Sequence, residues 1–333
     1  MTMLTNARST FAAIGKREDL SNIIYNISPM DTPAMSSMGR GTCDNTLFEW
    51  QTDELADAAQ NVQLEGDVPN ALAVSETVRL GNYTNISFKT VATTGTAEAI
   101  DFAGRRSSQA YQMAKRAKEI KRDMELMVTS PNLKVAGGTT TARKSAGIQA
   151  YLGWKTTATS NLLNGGASPV VGLVNVSSSV GANGSQVTAA STPTVALSLA
   201  MINTCVQRCY ESGGSPDTIF CKPDLKVALS VLAGATLADL QTQTKGDKPA
   251  HAINAVDVIV TDFGTFKFVA DRFCADNYVY VMDWDYWTIN YLRPFQTVNL
   301  AKTGDAVKQM MVAEWGLEAK NGRSSGAIAS VKP

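Results

Sequence analysis

The stretch Ala103–Thr129, AGRRSSQAYQMAKRAKEIKRDMELMVT, decides how the rest of the chain is read. Ala110, Met113, Ala117, Ile120, Met124 and Met127 recur at alternating steps of three and four. Lys115, Arg116, Lys118, Glu119, Lys121, Arg122, Asp123 and Glu125 fill the other faces, the pattern of an amphipathic helix laced with ion pairs. Neither Pro nor Gly interrupts it after Gly104. At roughly 1.5 Å per residue the helix would span about 40 Å, longer than a small domain is wide. A seam so thin on a rod so long predicts a spine that carries other elements and meets other subunits, rather than a helix sunk in a single core. The plain alternative is an ordinary amphipathic helix on a large enzyme, so its surroundings must decide.

Upstream, the first forty-odd residues read as an arm. Leu20, Ile23, Ile24 and Ile27 form one short helical face, which Ser28, Pro29, Asp31, Thr32 and Pro33 break. Thr32 before Pro33 is a cap followed by a first-turn proline, and Gly39 is placed to stop the short helix they start. From Thr46 the period changes to two. Phe48 and Trp50 alternate with Leu47, Glu49 and Gln51, and later Ile86 and Phe88 alternate with Asn85, Ser87 and Lys89, which predicts two strands. The polar, Ala-rich passage between them, with Gly66, Pro69 and Gly81, predicts a long projecting hairpin whose edges need a partner; a surface hairpin on a monomer is the alternative.

Downstream, Pro131 to Pro193 is rich in Gly, Ser, Thr, Asn and Ala and contains no Asp or Glu. Loops of this length are uncommon unless functional or disordered, and Ile148, Tyr151, Leu152, Trp154, Val170 and Val171 argue for a weakly patterned, β-rich insertion. A helix is predicted over 194–212, with Thr192 as its cap and Gly213-Gly214 as its stop. A strand at Thr218–Cys221, a helix from Pro223 to about Ala233, and strands at 256–260, 265–269, 278–282 and 286–292 continue a mixed lobe. The last element, Val307 to Leu317, alternates Val307, Gln309, Met311, Ala313 and Trp315 with Lys308, Met310, Val312 and Glu314, again a strand. The expected class is α+β, and no internal repeat of fixed period is present.

A chain of 333 residues exceeds the size at which single cores stop growing, so more than one lobe is expected. Lys plus Arg and Asp plus Glu are 30 each. That balance argues against a dedicated nucleic-acid binder or a membrane-surface protein, and fits a chain destined for an assembly. No apolar run approaches the roughly 20 residues of a membrane span, and Met1 to Ile14 lacks the apolar core of a signal peptide, which predicts synthesis in the cytoplasm. The five cysteines, Cys43, Cys205, Cys209, Cys221 and Cys274, include no CxxC pair. Cys205 and Cys209 stand one helical turn apart but lack ligand partners, so buried structural thiols are expected.

Three further patterns mimic chemistry. Gly138 to Ser145 has the outline of a phosphate loop, but Arg143 replaces the second glycine. Asp262-Phe263-Gly264 matches a kinase metal triplet in letters only, without the accompanying motifs, and reads as a turn between strands. Asp283 and Asp285 flank Trp284 on one face of an expected strand, where such pairs are usually solvated or salt-bridged. His251 is the only histidine and stands without partners. No catalytic, cofactor-binding or metal-binding residue is expected, nor any cofactor.

One resemblance extends beyond architecture. Arg17-Glu18-Asp19-Leu20, Ile27-Ser28-Pro29-Met30-Asp31-Thr32-Pro33, Glu49-Trp50-Gln51-Thr52-Asp53, Arg79-Leu80-Gly81-Asn82-Tyr83-Thr84, Ala103-Gly104-Arg105, Lys118-Glu119-Ile120-Lys121-Arg122-Asp123-Met124-Glu125, Leu292-Arg293-Pro294 and Lys302-Thr303-Gly304-Asp305 follow one another in an order that resembles the major capsid proteins of tailed bacteriophages. The resemblance implies an HK97-like capsid fold. It divides the chain into an arm (1–45), an extended loop (46–92), a peripheral domain with the spine helix (93–130), an insertion (131–193), an axial domain (194–300), and a closing strand and tail (301–333).

It further implies self-assembly into hexamers and pentamers of an icosahedral head enclosing double-stranded DNA, in a virion whose subunits are made in the bacterial cytoplasm. Expected partners are other copies of the chain, a portal protein and nonspecifically held DNA, with room for a separate scaffolding protein and a decoration protein, and no membrane. Contacts between subunits are expected at Ile23, Ile27, Phe48, Trp50, Glu65, Arg79, Tyr83, Arg105, Ile120, Arg122 and Arg293. Three alternatives stay open: an encapsulin-like shell that packages cargo enzymes, another phage component such as a tail protein, and an enzyme whose constellation is not visible.

Overall fold

A computed structural model describes residues 28–29, 31–53, 55, 58–67, 77–152, 162–164, 195–233, 258–302, 304–329 and 331–332. In chain order the elements begin with α1 (Pro33–Ser37), β1 (Gly39–Thr42), β2 (Leu47–Thr52), β3 (Val78–Tyr83), β4 (Asn85–Thr94), α2 (Gly95–Ala99) and α3 (Ser108–Thr129). They continue with β5 (Leu162–Asn164), β6 (Val195–Ala196), α4 (Leu199–Glu211), β7 (Thr218–Cys221) and α5 (Pro223–Ala233). The last are β8 (Val258–Thr261), β9 (Gly264–Ala270), β10 (Tyr278–Met282), β11 (Trp287–Asn299), β12 (Ala306–Ala319), β13 (Gly326–Ala329) and β14 (Val331–Lys332).

The spine helix α3 is five residues shorter at its start than the periodicity predicts. Gly104 takes a positive φ of 76°, which turns the chain. The Ser107 hydroxyl then accepts the Ala110 N–H at 3.3 Å as N-cap, satisfying one of the donors that a helix start leaves open. At the other end Ser130 is extended, the conformation that the following Pro131 favours. At 1.5 Å per residue the helix is about 33 Å long.

This helix lies on a four-stranded sheet of order β1-β11-β12-β4. The strand residues that face it are legible from their partners. Lys89 pairs with Asp123 at 2.8 Å and Glu119 at 3.6 Å, Asn85 reaches Met127, and Thr93 bonds Gln109. The expected thin seam is therefore covered within the subunit: Ile120, Met124 and Val128 pack with Ala34, Met35 and Met38 of the α1 region and with Trp287, Ile289, Ala313 and Trp315 of the sheet. Ile120, expected at a contact between subunits, is 1% exposed in the chain alone and belongs to the subunit's own core.

A second sheet, β5-β13-β10-β7-β9-β8, carries α4 against it. β10 joins the two lobes by strand alternation, which sends successive side chains to opposite faces. Tyr278, Tyr280 and Met282 enter the core under α3, while Val279 and Val281 enter the one under α4, with Ile202, Cys205, Val206 and Cys209. All five cysteines are free, and four of them are buried, in agreement with structural thiols. The Ser198 hydroxyl caps α4, accepting the Met201 N–H at 3.4 Å, so the helix begins five residues later than expected. It ends as expected at Gly213, whose φ is 81°.

Other expectations change. The partner of β2 is β3, not the Ile86–Phe88 strand; that segment is β4 and pairs with β12. The proposed insertion begins as ordinary core: Ala146, Ile148, Ala150, Tyr151 and Leu152 are all buried. Its later part, at 153–161 and 165–194, lies outside the described residues, as do Ile23, Ile27 and His251. Trp284–Tyr286 is a short 3-10 turn before β11, and Asp283 is buried, forms no ion pair among the described residues, and accepts the Ser215 N–H at 3.1 Å.

The packing of α3 gives a direct expectation. Replacing Ile120 with Asp should cost about 3–5 kcal/mol, because it places an unpaired charge in an apolar core. Urea unfolding of the soluble variant would measure it; a cost below about 1 kcal/mol would contradict the intra-chain packing.

Candidate assembly surface

The β2–β3 hairpin is built from two chemically different halves. Its base is bolted to the end of β12. The Trp50 indole N–H donates to the Ala319 carbonyl at 2.8 Å, and the Asn82 amide donates to the Leu317 carbonyl at 2.6 Å while accepting the Ala146 N–H at 3.0 Å. The Tyr151 hydroxyl donates to the Gly81 carbonyl at 3.2 Å, and its ring packs 5.7 Å from that of Trp50. Phe48 lies against Gly316, where even a Cβ would meet its ring at 2.5 Å. Phe48 and Trp50, expected to touch a neighbour, are thus tied to their own chain. Tyr83 is half-buried in the same place, with the Lys134 ammonium 6.0 Å from its ring centroid.

The far half has no such cover. Leu55, Val62 and Leu64 are 98%, 85% and 82% exposed, and Glu65 is exposed beside them, at a turn where Gly66 has a φ of 83° and the Asp67 N–H bonds the Leu64 carbonyl at 3.1 Å. The charge is one-sided. From Gly41 to Val78 the chain carries Asp44, Glu49, Asp53, Glu54, Asp57, Glu65, Asp67 and Glu76, and no lysine or arginine. That run is visible in the sequence, yet a search for catalytic constellations passes over it. Arg79, just after the run, pairs with Glu49 at 2.6 Å on the surface of the base, and Asp53 and Leu55 line a cleft with Lys320 and Arg323.

The spine helix has the complementary charge. Lys115, Lys118 and Lys121, spaced by three, are exposed; Lys115 acts on Glu119 four residues on, which Arg116 holds at 2.6 Å. Lys121 also borders a cleft of about 410 Å³ between α1, α3 and β11, where Arg40, Met35, Tyr291, Pro294 and Phe295 complete a wall of two cations over apolar and aromatic surface. Arg105 and Arg122 turn inward to rings instead, over Phe102 at 4.2 Å and Phe273 at 5.0 Å.

Arg293 serves its own chain too. Its Nε donates to Glu314 Oε2 at 2.9 Å, while Arg143 holds Oε1 of the same carboxylate and the Thr84 hydroxyl donates to it at 3.1 Å. This buried knot ties the loop after α3, the turn between β3 and β4, and β11 to the middle of β12. It also explains Arg143 in the false phosphate loop: Gly137 has a φ of 78°, and Val135 and Lys144 bridge to close a small turn that presents Arg143 to Glu314. The Asp262-Phe263-Gly264 triplet is the expected turn between β8 and β9. Arrangement and chemistry therefore suit contact with another macromolecular surface.

Known proteins agree. The profile of the SU10 major capsid protein family matches residues 3–332. Among curated proteins, the major capsid protein of Escherichia phage Phieco32 is 29% identical over 344 residues, covering 94% of both chains. Among solved structures, the fold resembles the Cyanophage A-1(L) capsid asymmetric unit with a TM-score of 0.67 at 13% identity, over 99% of this chain and 100% of that one. It also resembles a chain of the structure of Phage G gp27 major capsid proteins and gp26 decoration proteins, with a TM-score of 0.52 at 10% identity over 100% of both chains.

Proposed function

The chain belongs to the SU10 major capsid protein family, and from that premise we infer that its acidic hairpin is the element that couples one subunit of a phage shell to the next. The chain is a phage major capsid protein. In our reading the far half of the hairpin, centred on Leu64, Glu65 and Asp67, lies along the Lys115–Lys118–Lys121 stripe and the Arg40 cleft of a neighbouring copy. The observation that carries this is the charge asymmetry: a segment with eight carboxylates and no cation, on a chain whose spine helix presents the exposed lysines Lys115, Lys118 and Lys121. Opposite fields steer association and fix register, while like charges penalise wrong pairings. The exposed leucines supply the apolar area that a contact of charges alone would lack.

The finer assignments follow as part of the same proposal. The fold is HK97-like, with α3 and the β1-β11-β12-β4 sheet as its peripheral domain, the α4-bearing sheet as its axial domain, and the hairpin as its extended loop. Hexamers and pentamers close an icosahedral head around double-stranded DNA held without sequence preference. A portal protein occupies one vertex, and scaffolding and decoration proteins are the further partners this plan accommodates. The subunit is a structural protein without catalytic activity, made in the cytoplasm of the bacterial host. The named relatives are phage capsid proteins, which favours a genome-enclosing head over a cargo-packaging shell.

Charge reversal tests the pairing. Glu65→Lys with Asp67→Lys should leave a folded subunit, because both side chains are exposed, but should reduce shell yield at least tenfold, the effect of about 1.4 kcal/mol in the contact. Adding Lys118→Glu and Lys121→Glu should restore assembly. Normal shells from the first variant, or failure of rescue with both variants folded, would contradict the proposed contact without touching the identification of the family.

A further inference from the structure

The short helix α1 lacks the cap its sequence announces. The Thr32 side chain makes no capping bond. Its place is taken from 91 residues away by Glu125 on the inner side of α3: Oε1 accepts the Ala34 N–H at 2.7 Å, and Oε2 accepts the Met35 N–H at 2.8 Å. Glu125 is fully buried, and so is Asp271, which follows β9. Asp271 Oδ1 accepts the Phe273 N–H at 2.9 Å, and its Oδ2 has no hydrogen-bond partner among the described residues. No cation forms an ion pair with either carboxylate among the described residues. A core holding two acids and no counter-charge is costly in water-like protonation states, and the two bonds that Glu125 accepts are the polar tie between the start of α1 and the spine among the described residues.

We propose that Glu125 and Asp271 form a proton-operated latch that fastens α1 to α3. The ionised Glu125 offers an acceptor to each α1 amide. One proton taken from solvent converts one of its oxygens into a hydroxyl, which donates rather than accepts. One α1 N–H then loses its acceptor, and the like charge of Asp271 favours the proton on Glu125.

The surroundings leave this pair in charge of the titration. The other ionisable groups facing the site are Cys274, which burial pushes well up, and Tyr280, which burial also pushes well up. Asp31, just before α1, is exposed and lies 3.9 Å from Arg272. On α3 itself, Arg122 covers the Phe273 ring and Asp123 pairs with Lys89. Burial, with the like charge of Asp271 added, pushes Glu125 up to about 7, although the Met35 and Ala34 amides pull the other way. Burial likewise raises Asp271.

The sign of the effect separates the latch from general unfolding. The folded chain holds the Glu125 proton more tightly than the unfolded chain does, so ionising Glu125 lowers global stability as pH rises from about 4.5 through about 7. Acid therefore loosens α1 while this pair makes the whole chain more stable, not less.

Hydrogen exchange of the purified chain at pH 8 and pH 5.5, corrected for intrinsic rates, reads the latch in the peptide covering residues 32–38. Exchange there should be roughly tenfold faster at the lower pH, the scale of one charge-assisted hydrogen bond, with a midpoint near 7 and with α3 unchanged. Glu125→Gln, isosteric and permanently neutral, should exchange fast at both pH values. Asp271→Asn should move the midpoint down. Equal rates in the unaltered chain at both pH values, or a step that persists in Glu125→Gln, would overturn the proposal. Should Glu125→Gln fail to fold, an unmoved midpoint in Asp271→Asn would overturn it instead.

Discussion

Strand β12 is hydrogen-bonded along both edges, to β11 on one side and β4 on the other, and the rest of the subunit is fastened to it. The spine helix rests on its sheet, Trp315 sits fully buried beneath that helix, and Glu314 gathers Arg143 and Arg293. Its last residues, Leu317 and Ala319, hold the hairpin base through their carbonyls. A strand paired on both sides offers no free edge, so these attachments share one rigid frame. The hairpin consequently leaves the frame in a fixed direction.

What the frame does not supply is cover for the hairpin's far half. Ordering a residue costs about 1–2 kcal/mol of backbone entropy, and exposed leucines among carboxylates return little of it inside one chain. The same geometry that anchors Trp50 and Phe48 therefore makes the segment beyond them depend on another surface. In the proposed contact the complementary surface is the lysine stripe of another spine helix. A rigid frame with an uncovered, charged projection suits repeated, directional self-association, and in the proposed contact the projection would gain its order where a second frame is present.

The elements that local chemistry dictates were legible in the sequence. β7, α5 and β10 fall where alternation, proline and glycine place them, and α3 was missed only over Ala103 to Ser107, where a positive φ and a cap override the apolar period. The errors share a cause: they concern partners distant in sequence. Ile86 and Phe88 alternate well enough to pass for the hairpin's return strand, whereas Arg79 to Tyr83, which does return, includes Gly81 and lacks clean alternation. The seam through Ile120 shows that one face of α3 is buried, but periodicity cannot say against which chain. Of the expected contact residues, Phe48, Trp50 and Arg293 also make contacts within their own subunit, while Glu65 stands on the exposed tip. The cap that Glu125 provides for α1, like the Glu314 knot, joins residues too far apart for any motif to announce.

The central claim is that the hairpin's far half is ordered by a neighbour and not by its own chain. The most direct measurement is amide hydrogen exchange across residues 55–67, compared between unassembled subunits and finished shells. The account predicts exchange near the intrinsic rate in the free subunit and strong protection in the shell, with the base strands β2 and β3 protected in both. Equal protection of 55–67 in the two states would contradict it, since the segment would then owe its order to its own chain.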